Sequence, residues 1–154
     1  MTDPKVQSAE SLKGKRGFKR LMNAARYSWQ GIRAGFQNEA AFREECLLAV
    51  ILIPVALLLP VSLLEKAILI NSVLFLLLTE ILNSAIEAVV DRIGMEVHPL
   101  AGRAKDMASA AVLFALFMGL VAWGFIALPA VLALFGLFLV RANISRQFSR
   151  GSKA

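Results

Sequence analysis

The sequence predicts an all-α integral membrane protein: an N-terminal interfacial amphipathic helix followed by three transmembrane helices. Three observations carry this. First, 58% of the 154 residues are apolar, with a mean hydropathy of +0.66, against roughly 45–50% in soluble domains. Second, the excess is gathered into three blocks. Third, the basic residues between the blocks fall on one side. Nine Lys and Arg precede the first block and three lie between the second and third, whereas Lys66 alone lies between the first and second. The N-terminus is therefore expected in the cytoplasm, and the protein at the cell (inner) membrane, crossed several times.

Residues 1–16 are polar and broken by Pro4 and Gly14, and read as a cytoplasmic tail. Residues 1–20 carry no apolar core, so no cleavable signal is expected. Residues 17–128 form the membrane domain. Within it, residues 17–37 repeat Phe18, Leu21, Ala25, Trp29, Ile32 and Phe36 at helical spacing between Lys19, Arg20, Arg26 and Arg33. This is the pattern of a helix lying in the membrane interface. Gly31 and Gly35 weaken a single straight helix, and Asn38 is placed to cap a second one. Glu39 then stands just before hydrocarbon depth, where complementing a helix dipole is as natural a role as binding.

Spans are predicted near residues 47–64, 67–90 and 107–128. Each has the ~20 residues that a core of ~30 Å requires. Pro54 and Pro60 predict a kink or an early end in the first. Residues 91–106 read as a polar connection, with Asp106 a candidate cap for the third span. Residues 129–154 are an apolar extension and a basic tail. That tail holds four basic residues and no acidic one, so a short interfacial helix after a span ending near Leu128 is expected. The basic balance of +6 is read as contact with anionic lipid, not nucleic acid. The single Cys46 is a small apolar residue at a helix end.

The unusual stretch is Glu80–Ser109, EILNSAIEAVVDRIGMEVHPLAGRAKDMAS. Glu80, Asn83 and Glu87 recur at three and four residues and share one helix face, which Asp91 extends. A carboxylate at such depth costs about 2.5–3.5 kcal/mol by insertion scales, so it marks a site. Glu39 and Glu87, both at the cytoplasmic boundary, are a donor pair for Mg²⁺ completed by substrate phosphates. Arg92, Arg103 and Lys105 are placed to neutralise phosphate oxygens. Glu80, about 10 Å deeper, suits a general base for a lipid hydroxyl, oriented by Asn83. No Gly-rich phosphate loop occurs. The same spacing fits an ion or proton pathway through an oligomeric bundle, or a polar seam between protomers. His98 alone reads as an ordinary loop residue. Three thin spans leave little interior, which points to a homo-oligomer.

EILNSAIEAVVDRIG followed by HPLAGRAKDMASAAV, with AARYSWQGIRAGFQNEAAFREE upstream, resembles the prokaryotic-type diacylglycerol kinase family of small integral membrane lipid kinases. The resemblance covers roughly Gly17 to Leu128. It implies a homotrimer with sites shared between subunits. The implied reaction moves the ATP γ-phosphate to diacylglycerol with Mg²⁺, returning the product, phosphatidic acid, to phospholipid synthesis. Position by position, it implies Glu80 as catalytic base and Glu39 and Glu87 as metal ligands. Nucleotide contacts implied are Arg20, Tyr27, Glu96, His98, Lys105 and Asp106, together with the two ligands. Trp29, Asn83, Ser109 and again Arg20 would line the lipid site beside Glu80. A related branch phosphorylates undecaprenol, and spacing does not separate the two acceptors.

Overall fold

The computed structural model describes residues 18–93 and 98–151, with side chains as far as Ile144. No strand occurs among them. The chain divides after Glu39 into two compact units.

The first unit contributes α1 (Phe18–Asn38). It runs unbroken through Gly31 and Gly35, so the expected weakening there does not end the helix. Asn38 does not cap a following helix either. Its Nδ2 donates to the Ala34 carbonyl at 2.8 Å, and the Glu39 N–H donates to the Gly35 carbonyl at 2.8 Å, closing α1. Phe18, Leu21, Met22, Trp29, Ile32 and Phe36 form one exposed apolar stripe. Arg20 and Tyr27, seven residues apart, lie on the opposite side of the helix.

The second unit holds the remaining helices. α2 (Ala40–Leu58) carries Pro54 inside it and ends ahead of Pro60, where the Val61 N–H reaches back to the Leu59 carbonyl at 2.9 Å. It is the shortest of the expected spans, and Arg43, Glu44 and Glu45 occupy its first turns. A capping box starts α3 (Leu63–Ile93). The Ser62 N–H donates to Glu65 Oε2 at 2.7 Å and the Glu65 N–H to Ser62 Oγ at 3.3 Å. These bonds hold the Glu65 carboxyl below its usual range. Lys66 Nζ donates to the Leu57 carbonyl at 2.7 Å, closing the C-terminus of α2.

α4 (Pro99–Ala122) starts eight residues before the predicted span. His98, read from sequence as a loop residue, is its N-cap: the Leu100 N–H donates to His98 Nδ1 at 3.1 Å, and Pro99 opens the first turn. Asp106 is therefore inside the helix and caps nothing. Much of the predicted polar connection is helical, because residues 91–93 prolong α3 and residues 99–106 belong to α4.

α4 does not end near Leu128 with a separate helix after it. It passes through a π turn (Trp123–Ala127) directly into α5 (Leu128–Gly151). Pro129 is tolerated because it falls in the first turn after the π segment. α3 and the stretch Pro99–Ile144 are long and apolar enough to cross a membrane, yet only 28% and 11% of their most apolar windows are buried within the chain. Core helices of a soluble protein would be mostly buried, so this is a helical membrane protein with its apolar surface turned outward.

α3 is the central helix, packed against both α2 and α4. Its buried stripe runs Leu69, Val73, Leu76, Glu80, Ser84. α4 answers with small residues: Ala108 and Ala115 are buried, and Ala101, Ala104, Gly119 and Ala122 are half-buried. Val112 is the bulkier half-buried residue among them, and a face this rich in small residues favours close approach of the two backbones. At the end near the α2–α3 turn, Ala56, Leu59, Leu69 and Ala127 form a buried cluster flanked by Trp123 and Ala130.

Candidate active site

The packing stripe of α3 changes character along its length. Leu69, Val73 and Leu76 pack the far half. Glu80 takes the next position on the same face and is only 5% exposed. Its neighbours are satisfied locally: Thr79 Oγ1 donates to the Leu76 carbonyl at 2.8 Å and Ser84 Oγ to the Glu80 carbonyl at 3.0 Å. One turn beyond Glu80, Asn83 Nδ2 donates to Glu87 Oε1, two turns beyond it, at 3.2 Å. Asn83 Oδ1 is buried and has no partner, so the amide orients Glu87 and keeps an acceptor in reserve.

At the end of this face α4 supplies the opposite charge. Lys105 Nζ lies 2.6 Å from Asp91 Oδ1 and within Coulombic reach of Glu87. The hydrogen bond that Lys105 donates to Asp91 is the main reason its ammonium is held above its ordinary range. The sequence placed Lys105 among phosphate-neutralising cations but did not pair it with Asp91, fourteen residues away. Beside Asn83, a groove of about 520 Å³ is lined by Thr79, Leu82, Ile86, Ala104, Met107, Ala108 and Ala111. Its walls are almost wholly apolar, and Asn83 is its polar feature.

Glu45 was missed. It stands on α2 within Coulombic reach of Glu80, and its Oε2 is buried without a hydrogen-bond partner. It lines a second cavity of about 290 Å³ with Leu48, Leu52, Val73, Leu76 and Ala115. The available signal was the one used for Glu80, a carboxylate at the rim of an apolar run. The adjacent Arg43 and Glu44 made that stretch look like an ordinary polar helix start.

The other candidates are distributed as follows. Glu80, Asn83, Glu87 and Lys105 gather along the α3–α4 seam. His98 caps α4, and Asp106 and Ser109 are exposed on α4. Arg20, Tyr27, Trp29 and Glu39 belong to the first unit. There, Arg20 and Tyr27 share one face while Trp29 lies in the apolar stripe, and the Arg26 guanidinium stands 5.3 Å from the centroid of the Tyr27 ring. Glu96 lies outside the described residues, as does the tail 1–16. Among the described residues no three His, Cys, Asp or Glu side chains converge on one metal position. A site that takes one or two carboxylates and fills its shell from phosphate does not need three.

Residues 26–127 match the family model for prokaryotic diacylglycerol kinase. The chain belongs to the prokaryotic diacylglycerol kinase family. It is 52% identical to the diacylglycerol kinase of Escherichia coli K12 over 107 residues, covering 70% of this chain and 88% of that one. Against the diacylglycerol kinase of Pseudomonas aeruginosa it is 52% identical over 121 residues, 79% of this chain and 98% of that one. The Haemophilus influenzae diacylglycerol kinase is 50% identical over 108 residues. The family and its relatives make this chain a lipid kinase. The ion-pathway and purely structural readings of its acidic face are not favoured. α5 lies beyond the matched segment, and Arg20 lies before it.

Proposed function

We propose that the α3–α4 seam transfers the γ-phosphate of ATP to the free hydroxyl of diacylglycerol, with Glu80 as general base. The single observation that carries this is the gradient along one face of α3. A buried carboxylate is followed, seven residues and about 10 Å on, by a half-exposed one beside a lysine. A lipid hydroxyl entering from the bilayer meets Glu80, and a nucleotide entering from water meets Glu87 and Lys105. Glu80 accepts the hydroxyl proton as that oxygen attacks the γ-phosphorus. The bond from the γ-phosphorus to the bridging oxygen breaks, and ADP leaves. Asn83 holds Glu87 in place, and its free Oδ1 accepts the hydrogen bond of the lipid hydroxyl as the lipid docks, before that proton passes to Glu80. Lys105 neutralises charge on the phosphate oxygens, which supplies much of what phosphoryl transfer requires.

Glu87 and Glu39 would hold a Mg²⁺ that arrives with the nucleotide and screens its phosphate charge. Glu87 fits such a role: one oxygen is fixed by Asn83, and the residue remains half-exposed. Arg20 and Tyr27 on the polar face of α1 are assigned to the nucleotide together with Glu96, His98 and Asp106. Trp29, on its apolar face, and Ser109 are assigned to the lipid. The working unit is a homotrimer, since so thin a bundle leaves a polar site in need of walls from neighbouring copies. The N-terminus and the α3–α4 connection face the cytoplasm of the inner membrane, where ATP is present.

The test is incubation of the purified protein with labelled ATP and either diacylglycerol or undecaprenol. Phosphatidate is the expected product. Preference for undecaprenol would replace the acceptor but keep the mechanism. A Glu80→Gln variant that assembles normally and keeps full activity would overturn the base assignment.

A further inference from the structure

The helix that begins at Pro99 continues to the end of the described chain. Its apolar run from Met107 to Val140 is 34 residues long by sequence, about 51 Å at ~1.5 Å per residue. A hydrocarbon core is ~30 Å thick. The π turn packs against Leu59 and Leu69 beside the α2–α3 turn, and Ala130 is the last residue to join that cluster. From Val131 to Val140 the helix is exposed, including Leu132, Phe135, Phe138 and Val140. These residues point in every direction around the axis.

An apolar helix with no polar face requires apolar surroundings on all sides. Three self-associated copies would cover the inner faces and leave the outer ones in water. Lipid covers all of them. The segment Leu128–Val140 is about 20 Å long, too short for a second crossing. A bend is available where it is needed, since the π turn and Pro129 interrupt the regular hydrogen-bond ladder in succession. Beyond Val140 the charge is wholly positive: Arg141, Arg146, Arg150 and Lys153, with no acidic residue.

We propose that α5 is a membrane-surface anchor. It lies along the bilayer face that carries the α2–α3 turn, sunk among the upper acyl chains, with Arg141, where the positive run of the sequence begins, at anionic lipid headgroups. The family match stops at residue 127, so this surface is an addition to the kinase and does not rest on its chemistry.

The experiment uses the full-length protein with Cys46→Ser and a bimane label at Phe135→Cys, reconstituted in phosphatidylcholine vesicles with and without phosphatidylglycerol. Lipids brominated near the carbonyl should quench at least about two-fold more than lipids brominated at the chain end. Strongest quenching from the chain-end bromines would mean an upright, deeply inserted helix. Quenching by aqueous iodide alone would mean a helix in water. Protection from all three would mean burial against protein, including another copy. Each of these overturns the proposal. Adding phosphatidylglycerol should deepen shallow quenching, and replacing Arg141, Arg146, Arg150 and Lys153 by Gln should abolish that response. An unchanged response in the substituted protein would overturn the assignment of anionic headgroups as its partner.

Discussion

Replacing Asn83 by Ala separates orientation of Glu87 from mere packing. The bond from Asn83 Nδ2 to Glu87 Oε1 is 3.2 Å long, at the long end of the N–H···O range, so the low end of ~1.5–3 kcal/mol for a charge-assisted bond applies. About 1.5 kcal/mol corresponds to roughly a twelve-fold effect. Loss of the bond should raise the Mg²⁺ concentration for half-maximal rate by about that factor. The unpartnered Asn83 Oδ1 is lost in the same variant, so kcat should fall further, by at least about ten-fold. Global stability should fall by no more than the same ~1.5 kcal/mol, so the variant still folds. The assay is transfer of labelled phosphate at saturating lipid over a Mg²⁺ series, with thermal unfolding measured in parallel. Unchanged Mg²⁺ dependence in a normally folded Asn83→Ala protein would refute the orienting role. Asn83→Asp should be worse than Asn83→Ala, since it sets a second carboxylate against Glu87.

Lys105→Met should raise KM for ATP by on the order of ten-fold or more and leave KM for the lipid nearly unchanged; equal effects on both would argue against a phosphate contact. Glu65 is held below the usual carboxylate range by Ser62, so its contribution to the start of α3 is complete above its unfolded value and fades as pH falls through the lower folded one. The protection of the Ser62 amide relative to its intrinsic exchange rate should therefore fall below about pH 4 in the native protein but not in Glu65→Gln. Ala115 is fully buried between helices, and Ala115→Leu should cost about 1–3 kcal/mol by overpacking; an unchanged unfolding midpoint would show that α4 has room to move away.

The helices and the acidic face were legible because both are periodic. Glu80, Asn83 and Glu87 fall on one face whatever surrounds them, and the apolar blocks around Leu74 and Leu116 stand out by composition. The helix ends were less legible. Polar residues after Val90 and before Met107 look like a loop by hydropathy, yet they prolong α3 and α4 because their polar side chains stay in water while the backbone bonds continue. Glu45 and the Asp91–Lys105 pair depend on which helices become neighbours, which local pattern does not encode. The π turn at Trp123–Ala127 carries no residue signature beyond Gly124 and Pro129, and the same residues serve equally well to end a helix.

The alanine and glycine stripe of α4 has one more effect. Small side chains bring two helices together, but apart from Val112 they offer few knobs that fix where one stands along the other. The register of α4 against α3 must then be held at its ends. Lys105 on Asp91 pins one end, and Trp123 and Ala127 against Leu59 and Leu69 pin the other. The eighteen residues from Lys105 to Trp123 make a rod of ~27 Å clamped at both extremities. A lipid or subunit that loosens the hydrophobic clamp would shift Lys105 relative to Glu87 without touching either residue. Lys105, assigned above to the phosphate, is thus tied to the apolar cluster at the far end of the helix bundle.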